Sequence, residues 1–265
     1  MFGETRDPEE GFPLTAVAQT GAVESDRSGQ LSAHGVYAGY HGVPVIRGID
    51  MSVERGEIVA LLGPNGAGKS TTLFTLAGKV QPLRGEVRWR GRPTTAPLHV
   101  RAADGLAFLT EERSVFMGLS VKENLRVGRC DLAFALSLFP ELESHLNRRA
   151  GLLSGGQQQI LGLARALARR PQMLLADELS LGLAPLIVER LLIALRKAAD
   201  EGLGVLLVEQ HVRKALNVAD RVYVLQRGRV VYSGSGAEAR RDIDAIEASY
   251  LSGAAHDDAA VGGAA

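Results

Sequence analysis

Residues 63–70 read Gly63-Pro64-Asn65-Gly66-Ala67-Gly68-Lys69-Ser70, the pattern GxxxxGK closed by Ser or Thr. The apolar run Ile58-Val59-Ala60-Leu61-Leu62 comes before it and the helical pattern Ser70-Thr71-Thr72-Leu73-Phe74-Thr75-Leu76-Ala77 comes after it. That is the strand-loop-helix setting the pattern needs in order to act as a phosphate loop. Glycines let successive backbone N–H groups turn inward as an anion nest, and the helix that follows adds its positive end. Lys69 brings a mobile positive charge for β and γ phosphates, while the Ser70 hydroxyl is suited to Mg²⁺. Gly63 through Thr71 is therefore the expected nucleotide-binding segment, and its bland alternative is a glycine-rich turn with a solvated lysine.

A second constraint lies downstream. Met173-Leu174-Leu175-Ala176 reads as a buried strand that ends in Asp177-Glu178, at the carboxyl end where open parallel sheets bind ligands. Alone, such a pair reads as a helix cap or a solvated loop. Beside a phosphate loop, Asp177 is placed to hold Mg²⁺, and Glu178 to orient or deprotonate the attacking water.

Short β-rich runs at 57–63, 85–91, 106–110, 172–177 and 204–209 alternate with helical patterns, which predicts an α/β fold with a largely parallel sheet. Ser120 with Glu123 makes a capping-box pattern, LAFALSLF looks helical and another apolar-periodic run starts at Gly155. Segment 116–165 is thus expected to be an inserted helical subdomain. Residues 1–30 are polar and aperiodic and read as a disordered extension, and the Ala/Gly/Asp-rich stretch 253–265 as a flexible tail.

The 265 residues allow an ample core. Thirty Lys+Arg balance thirty Asp+Glu, so no global field recruits nucleic acid or an anionic membrane. The single cysteine, Cys130, excludes an internal disulfide or a thiolate cluster. No apolar stretch approaches the ~18 residues of a membrane span, and no secretory pattern is evident. The expectation is a cytoplasmic protein that reaches any membrane process from outside the lipid.

Leu153-Ser154-Gly155-Gly156-Gln157 precedes the apolar-periodic run QQQILGLARALARR, which again puts backbone amides and a hydroxyl at a helix N-terminus. An LSGGQ between a phosphate loop and an acidic strand end resembles the cassettes of the ABC family over about residues 31–252. The resemblance implies a P-loop NTPase core of the ABC type, with an antiparallel β subdomain and the helical insertion. It also implies ATP hydrolysis in a head-to-tail dimer, where Ser154, Gly155, Gly156 and Gln157 of one cassette close over ATP held at Lys69 of the other. The second cassette is either a copy of this chain or a similar chain. An aromatic that stacks on adenine is expected at Tyr40, with Tyr37 the competing candidate.

Three positions depart from the family pattern. Glu111 stands where a glutamine is usual, either as a Mg²⁺ ligand that senses the γ-phosphate or as an exposed loop acid. Gln210 aligns with the switch histidine, and His211 follows one place on; either is a candidate catalytic group. Ser180-Leu181-Gly182-Leu183 lacks the usual acid, which leaves backbone groups or Ser180 for communication across the dimer. The stretches Glu111-Glu112-Arg113, Val115-Phe116, Ser180 to Leu186 (SLGLAPL) and Val208-Glu209-Gln210 resemble the cassettes of branched-chain amino-acid importers, although Leu179 replaces the usual proline. That resemblance implies a peripheral subunit on the inner face of the cell membrane. Its partners would be permease subunits, docked at 111–125 with Phe116, Met117 and Leu119, and indirectly a solute-binding protein. The solute would be a branched-chain amino acid or a small polar relative such as urea or an amide. The rival readings are a soluble assembly ATPase and a lipid-exporter cassette.

Overall fold

The computed structural model describes residues 30–110 and 114–254. Strands β1 (Leu31–Tyr40) and β2 (Val43–Val53) form a hairpin, and β3 (Ile58–Leu62) runs through the glycine-rich loop into α1 (Lys69–Ala77). Next come β4 (Arg84–Trp89), β5 (Arg92–Pro93), α2 (Leu98–Ala103) and β6 (Leu106–Leu109). The helical region holds α3 (Val121–Val127), α4 (Leu132–Leu138) and α5 (Gly155–Leu167), with two 3-10 turns between α4 and α5. Beyond it lie β7 (Met173–Asp177), α6 (Pro185–Asp200), β8 (Gly204–Glu209), α7 (Val212–Leu216), β9 (Arg221–Gln226), β10 (Arg229–Ser235), α8 (Gly236–Arg241) and α9 (Ile243–Ala254).

The strands build two sheets. One has the order β2-β1-β4-β5 and is antiparallel, and the other has the order β10-β9-β3-β8-β7-β6. In the second sheet all neighbours are parallel except the edge strand β10. This is the expected α/β core with its antiparallel subdomain and helical insertion. One assignment needs correcting. The run at 85–91 belongs to the antiparallel sheet, because only Val87 and Trp89 are buried while Glu86 and Arg88 lie at its surface. Such one-sided alternation suits a sheet with one wet face, whereas β3, β7 and β8 are buried at every position, as parallel strands covered on both faces must be.

The two faces of the parallel sheet feed different cores. Val59, Leu61, Leu175, Leu206 and Val208 pack with Leu73 and Leu76 of α1 and with Val36, Ile49 and Val87 of the antiparallel sheet. Leu174, Ala176, Val205 and Leu207 pack on the opposite side with Val188, Leu191 and Leu195 of α6 and Leu161 and Ala164 of α5. Each of these buried leucines contributes about 1.5–3 kcal/mol. The consequence for function is a rigid bed whose strand ends all point to one edge.

The far end of α1 is held by a buried charge. Arg101 of α2 is 2% exposed, and it donates from Nη1 to the Leu76 carbonyl and from Nε to the Ala96 carbonyl at 2.8 Å. A guanidinium over the last turn of α1 also complements the negative end of that helix, although burial lowers its pKa to about 10. The predicted N-terminal features of α3 and α5 are present as capping boxes, Ser120 with Glu123 and Ser154 with Gln157. The expected extension and tail lie largely outside the described residues. Gln30, however, is buried with its amide donating to Gln172 at 3.0 Å, and α9 extends to Ala254.

Replacing Arg101 by Met should leave two buried carbonyls short of donors. We expect a loss of about 2–4 kcal/mol in urea unfolding, with ATP affinity preserved because α1 meets the nucleotide at its other end.

Candidate active site

The order β3-β8-β7 decides where chemistry can happen. Three neighbouring parallel strands end side by side, β3 in the glycine-rich loop, β7 in Asp177 and Glu178, and β8 in Glu209 and Gln210. Register pairs Leu62 with Glu209 and Asp177 with Val208. Neighbouring strands lie about 4.8 Å apart, so these termini form one continuous rim. A cleft of about 560 Å³ opens over it, lined among others by Asn65, Gly66, Lys69, Ser70, Glu178 and Gln210.

The loop needs its glycines for space as well as for conformation. A Cβ on Gly63, at φ 151°, would stand 2.3 Å from the Leu225 carbonyl oxygen, and one on Gly68, at φ 103°, would stand 2.7 Å from Ile46 Cγ2. The backbone is therefore pressed against β9 and β2, and within the loop the Ala67 N–H donates to the Pro64 carbonyl at 3.2 Å. Gly68 then caps α1, accepting from the Thr72 amide and hydroxyl at 2.9 Å each.

Lys69 is 6% exposed, and its Nζ donates to the carbonyls of Gly63 at 2.9 Å and Pro64 at 3.1 Å. Burial lowers the pKa of the ammonium, against the opposing pull of Glu178, Asp177 and Glu209. Asp177 itself is 4% exposed. A buried ammonium facing carboxylates across a glycine-lined cleft fits a nucleotide triphosphate, and the exposed hydroxyl of Ser70 with the carboxylate of Asp177 forms a donor set suited to Mg²⁺. Thr71, 6% exposed, lines the same wall.

Glu178 leaves the sheet with its N–H donating to the Val208 carbonyl at 2.9 Å and with φ 48°, a left-handed backbone rare for a residue with a side chain. Leu179 spares it the backbone restriction that a following proline would impose. The Gln210 amide donates from Nε2 to Glu178 Oε1 at 2.7 Å. Of the two candidates after β8, the structure brings Gln210 to the carboxylate and does not bring His211. His211 is the exposed N-cap of α7 and lines a neighbouring hollow with Arg213, Lys214 and Glu247. The physical reason is the strand: Gln210 immediately follows β8, and one further residue turns the side chain away.

Ser180 is held within its own chain. It is 4% exposed, its N–H donates to Glu209 Oε1 at 3.0 Å and its hydroxyl to Oε2 at 2.7 Å, so its polar groups are bound within its own chain. Leu181, 49% exposed, is the side chain this turn presents outward. Glu209 was not foreseen in the sequence reading. Burial pushes its carboxyl above the usual carboxylate range, against the two bonds from Ser180. The available signal was a carboxylate at the last position of an otherwise apolar buried strand.

Tyr40 ends β1 and is 45% exposed, open to stacking, while Val45 of the same hairpin lines the cleft. Tyr37 packs over Gly48, where a Cβ would meet its hydroxyl oxygen at 3.5 Å. Ser154, Gly155, Gly156 and Gln157 contribute nothing to the lining of the Lys69 cleft. The Ser154 hydroxyl accepts from the Gln157 amide at 3.3 Å, and Gln157 Oε1 accepts from the Ser154 N–H at 2.9 Å. Gly156 is held against α6, since a Cβ there would lie 3.1 Å from Ile187 Cγ1. Glu111 lies outside the described residues. Among the described residues there is no cluster of three or more His, Cys, Asp or Glu side chains able to hold a metal ion by themselves.

The sequence profile of the ABC transporter family matches residues 46–180. The chain is 40% identical over 217 residues to the high-affinity branched-chain amino acid transport ATP-binding protein BraG of Pseudomonas aeruginosa, covering 78% of this chain and 93% of that protein. It is 36% identical over 224 residues to the lipopolysaccharide export system ATP-binding protein LptB of Escherichia coli strain K12, covering 80% of this chain and 93% of that protein. A bacterial ABC transporter cassette solved as a dimer superimposes with a TM-score of 0.69 at 25% identity, covering 77% of this chain and 98% of that one.

Two outcomes follow from the cleft. Lys69→Ala removes the buried charge, and ATP affinity measured by fluorescence titration should fall about 10- to 100-fold, the worth of hydrogen bonds to a charged group. Gln210→His replaces a group that does not ionise with one of pKa about 6.5. Turnover against pH should therefore gain a limb near that value which the wild type lacks.

Proposed function

The chain belongs to the ATP-binding subunits of ABC transporters, which hydrolyse ATP, and on that premise we propose that it drives import of branched-chain amino acids or a related small polar solute. Hydrolysis is carried by one observation, the convergence of Lys69, Ser70, Glu178 and Gln210 on a single cleft. In this reading the loop amides and Lys69 bind the β and γ phosphates. Glu178 polarises the attacking water, and Gln210 fixes the rotamer of Glu178 while remaining neutral at every working pH. Ser70 and Asp177 would hold Mg²⁺, which would supply charge to offset that of the phosphates. Tyr40 stacks on the base.

Half of the site must come from elsewhere. The serine, glycines and glutamine of Ser154 to Gln157 are displayed at the N-terminus of α5 and line no part of their own chain's cleft. In the proposed cycle they close over ATP on a second cassette, and the closure moves the permease subunits. Phe116 and Met117, 49% and 43% exposed, offer an apolar contact for a permease segment. The loop is stiffened for that load, because the buried Asn124 accepts from the Phe116 N–H at 2.8 Å and donates to the carbonyls of Phe116 and Leu119. Among the described residues no helix is long and apolar enough to cross a membrane, which agrees with a subunit that meets the bilayer only through partners.

Similarity to BraG over nearly its whole length, together with the SLGLAPL stretch, supports the importer reading. The solute itself would be selected by the permeases and a solute-binding protein. Similarity to LptB over 93% of that protein supports a second reading, export of a lipid-linked substrate.

Glu178→Gln should abolish steady-state hydrolysis, retain ATP binding and trap a dimer in size-exclusion chromatography; full turnover would remove Glu178 from its role. To separate import from export, the cassette is reconstituted with its co-purified membrane subunits. We expect its ATPase to rise with a leucine-loaded binding protein. A rise with lipopolysaccharide and none with the binding protein would establish the exporter reading instead.

A further inference from the structure

Glu178 occupies a demanding place. Its left-handed backbone is rare for a residue with a side chain and persists only where the surroundings over-determine it. Its own N–H is tied to Val208 and its side chain to Gln210, both contributed by β8 or the residue directly after it. Two residues along the turn, Ser180 is tied to the same strand by both oxygens of Glu209. Between the two ties lies Leu179, 2% exposed in the core beneath. The turn 178–180 is therefore stitched to the end of β8 at its entry, at its side chain and at its exit.

The Glu209 carboxylate is an expensive way to make the last stitch. It is 2% exposed, and it lies close enough to Glu178 for the two negative charges to repel. A buried carboxylate is tolerated only when its lone pairs are engaged. Here both oxygens point at one residue, and a backbone N–H with a hydroxyl on that residue fixes the turn in direction as well as in distance. A hydrophobic pair could hold the turn down but could not orient it.

We propose that Glu209, acting through Ser180, is a positioning residue for ATP hydrolysis: its bidentate clasp fixes the turn that carries Glu178 so that Glu178 meets Gln210 and faces the phosphate end of the cleft. The inference rests on the reading of Glu178 as the group that activates water. It assigns to Glu209 no contact with substrate, metal or reacting water. It also gives the replacement of an acid by Ser180-Leu181-Gly182 a consequence inside the chain, since the serine hydroxyl is used to hold its own catalytic turn.

Five variants of the full chain test it: Ser180→Ala, Glu209→Ala, the double variant of these two, Glu209→Gln and Glu178→Gln. The measurements are ATPase kinetics, affinity for a fluorescent ATP analogue, thermal melting, and amide hydrogen exchange across residues 178–183. Ser180→Ala and Glu209→Ala should each lower kcat about 10- to 100-fold, the loss expected for a displaced catalytic group, with analogue affinity unchanged. Their exchange at residues 178–183 should be faster than in the wild type without nucleotide. The double variant should lose no more than the worse single one, because one clasp is removed either way. Glu209→Gln keeps an acceptor for the Ser180 N–H and a donor for its hydroxyl oxygen, and it should recover most of the turnover.

The proposal is overturned if Ser180→Ala turns over at the wild-type rate with unchanged exchange. It is equally overturned if Glu209→Gln is as impaired as Glu209→Ala, since charge and not the clasp would then matter. A kcat loss that tracks a lost affinity and a lowered melting point in Ser180→Ala would mark the clasp as ordinary stability, and would also overturn it. Hydrolysis by Glu178→Gln would instead remove the premise, whereas abolished hydrolysis there with a silent Ser180→Ala removes only the clasp.

Discussion

The burial of the Lys69 ammonium beneath a loop that cannot be thickened is the constraint on which the rest of this molecule depends. Removing a charge from water costs several kcal/mol unless partners replace the lost hydration. Here two carbonyls of its own loop accept from it, and three carboxylates from two other strands supply the opposing field. Those carboxylates can be so placed only because β3, β8 and β7 are adjacent and parallel, and the strands can be so buried only because helices and a second sheet cover both faces. Phosphate oxygens are stronger acceptors than backbone carbonyls, so the lysine has reason to exchange one set for the other when nucleotide enters.

The sequence made the chemistry legible wherever a residue type has few other uses. A phosphate loop after an apolar run, an acidic pair ending a second run and Ser-Gly-Gly-Gln before a helical pattern all stand in the elements expected for them. The capping boxes at Ser120 and Ser154 were legible for the same reason, since a hydroxyl and a glutamate or glutamine three residues on leave little ambiguity. What remained hidden was the order of strands. In GEVRWRG the alternation of charged Glu86 and Arg88 with apolar Val87 and Trp89 marks a strand with one wet face, but not which strands flank it. Likewise, β8 lying between β3 and β7 turns Glu209 and Gln210 from two residues after an apolar run into the centre of the site. The choice between Gln210 and His211 could not be made from alignment, because a single residue past a strand end reverses which way a side chain points.

Position 210 carries a chemical consequence of its own. A histidine there would pair with Glu178 through an ion whose charge depends on pH, whereas an amide supplies the same donor without gaining or losing a proton. Gln210 thereby takes no share in proton transfer and serves only to orient Glu178. More of the burden of placing Glu178 then falls on the backbone, which is strained at that residue and tied to β8 on either side of it. A neutral partner and a stitched turn are two parts of one arrangement, in which the base is held by geometry and not by an opposing charge.

The same reasoning separates what this chain can specify from what it must receive. Its cleft is lined by groups that recognise triphosphate and water, and none of them could distinguish an amino acid from a lipid. Relatives named for branched-chain amino acid transport and for lipopolysaccharide export are consequently both similar to it over most of their length. Direction of transport has to be encoded where cassettes differ from one another, at surfaces that take up the motion and not at the site that powers it. In the proposed function such a surface is the loop of Phe116 and Met117, both exposed. Arg165 of α5 lies over the Phe116 ring at 4.9 Å and donates to the Ser114 carbonyl. On the proposed reading, the helix that carries Ser154 at its N-terminus is thus joined directly to the loop that would meet a permease. Energy from a site indifferent to cargo can reach cargo-specific partners by that mechanical link.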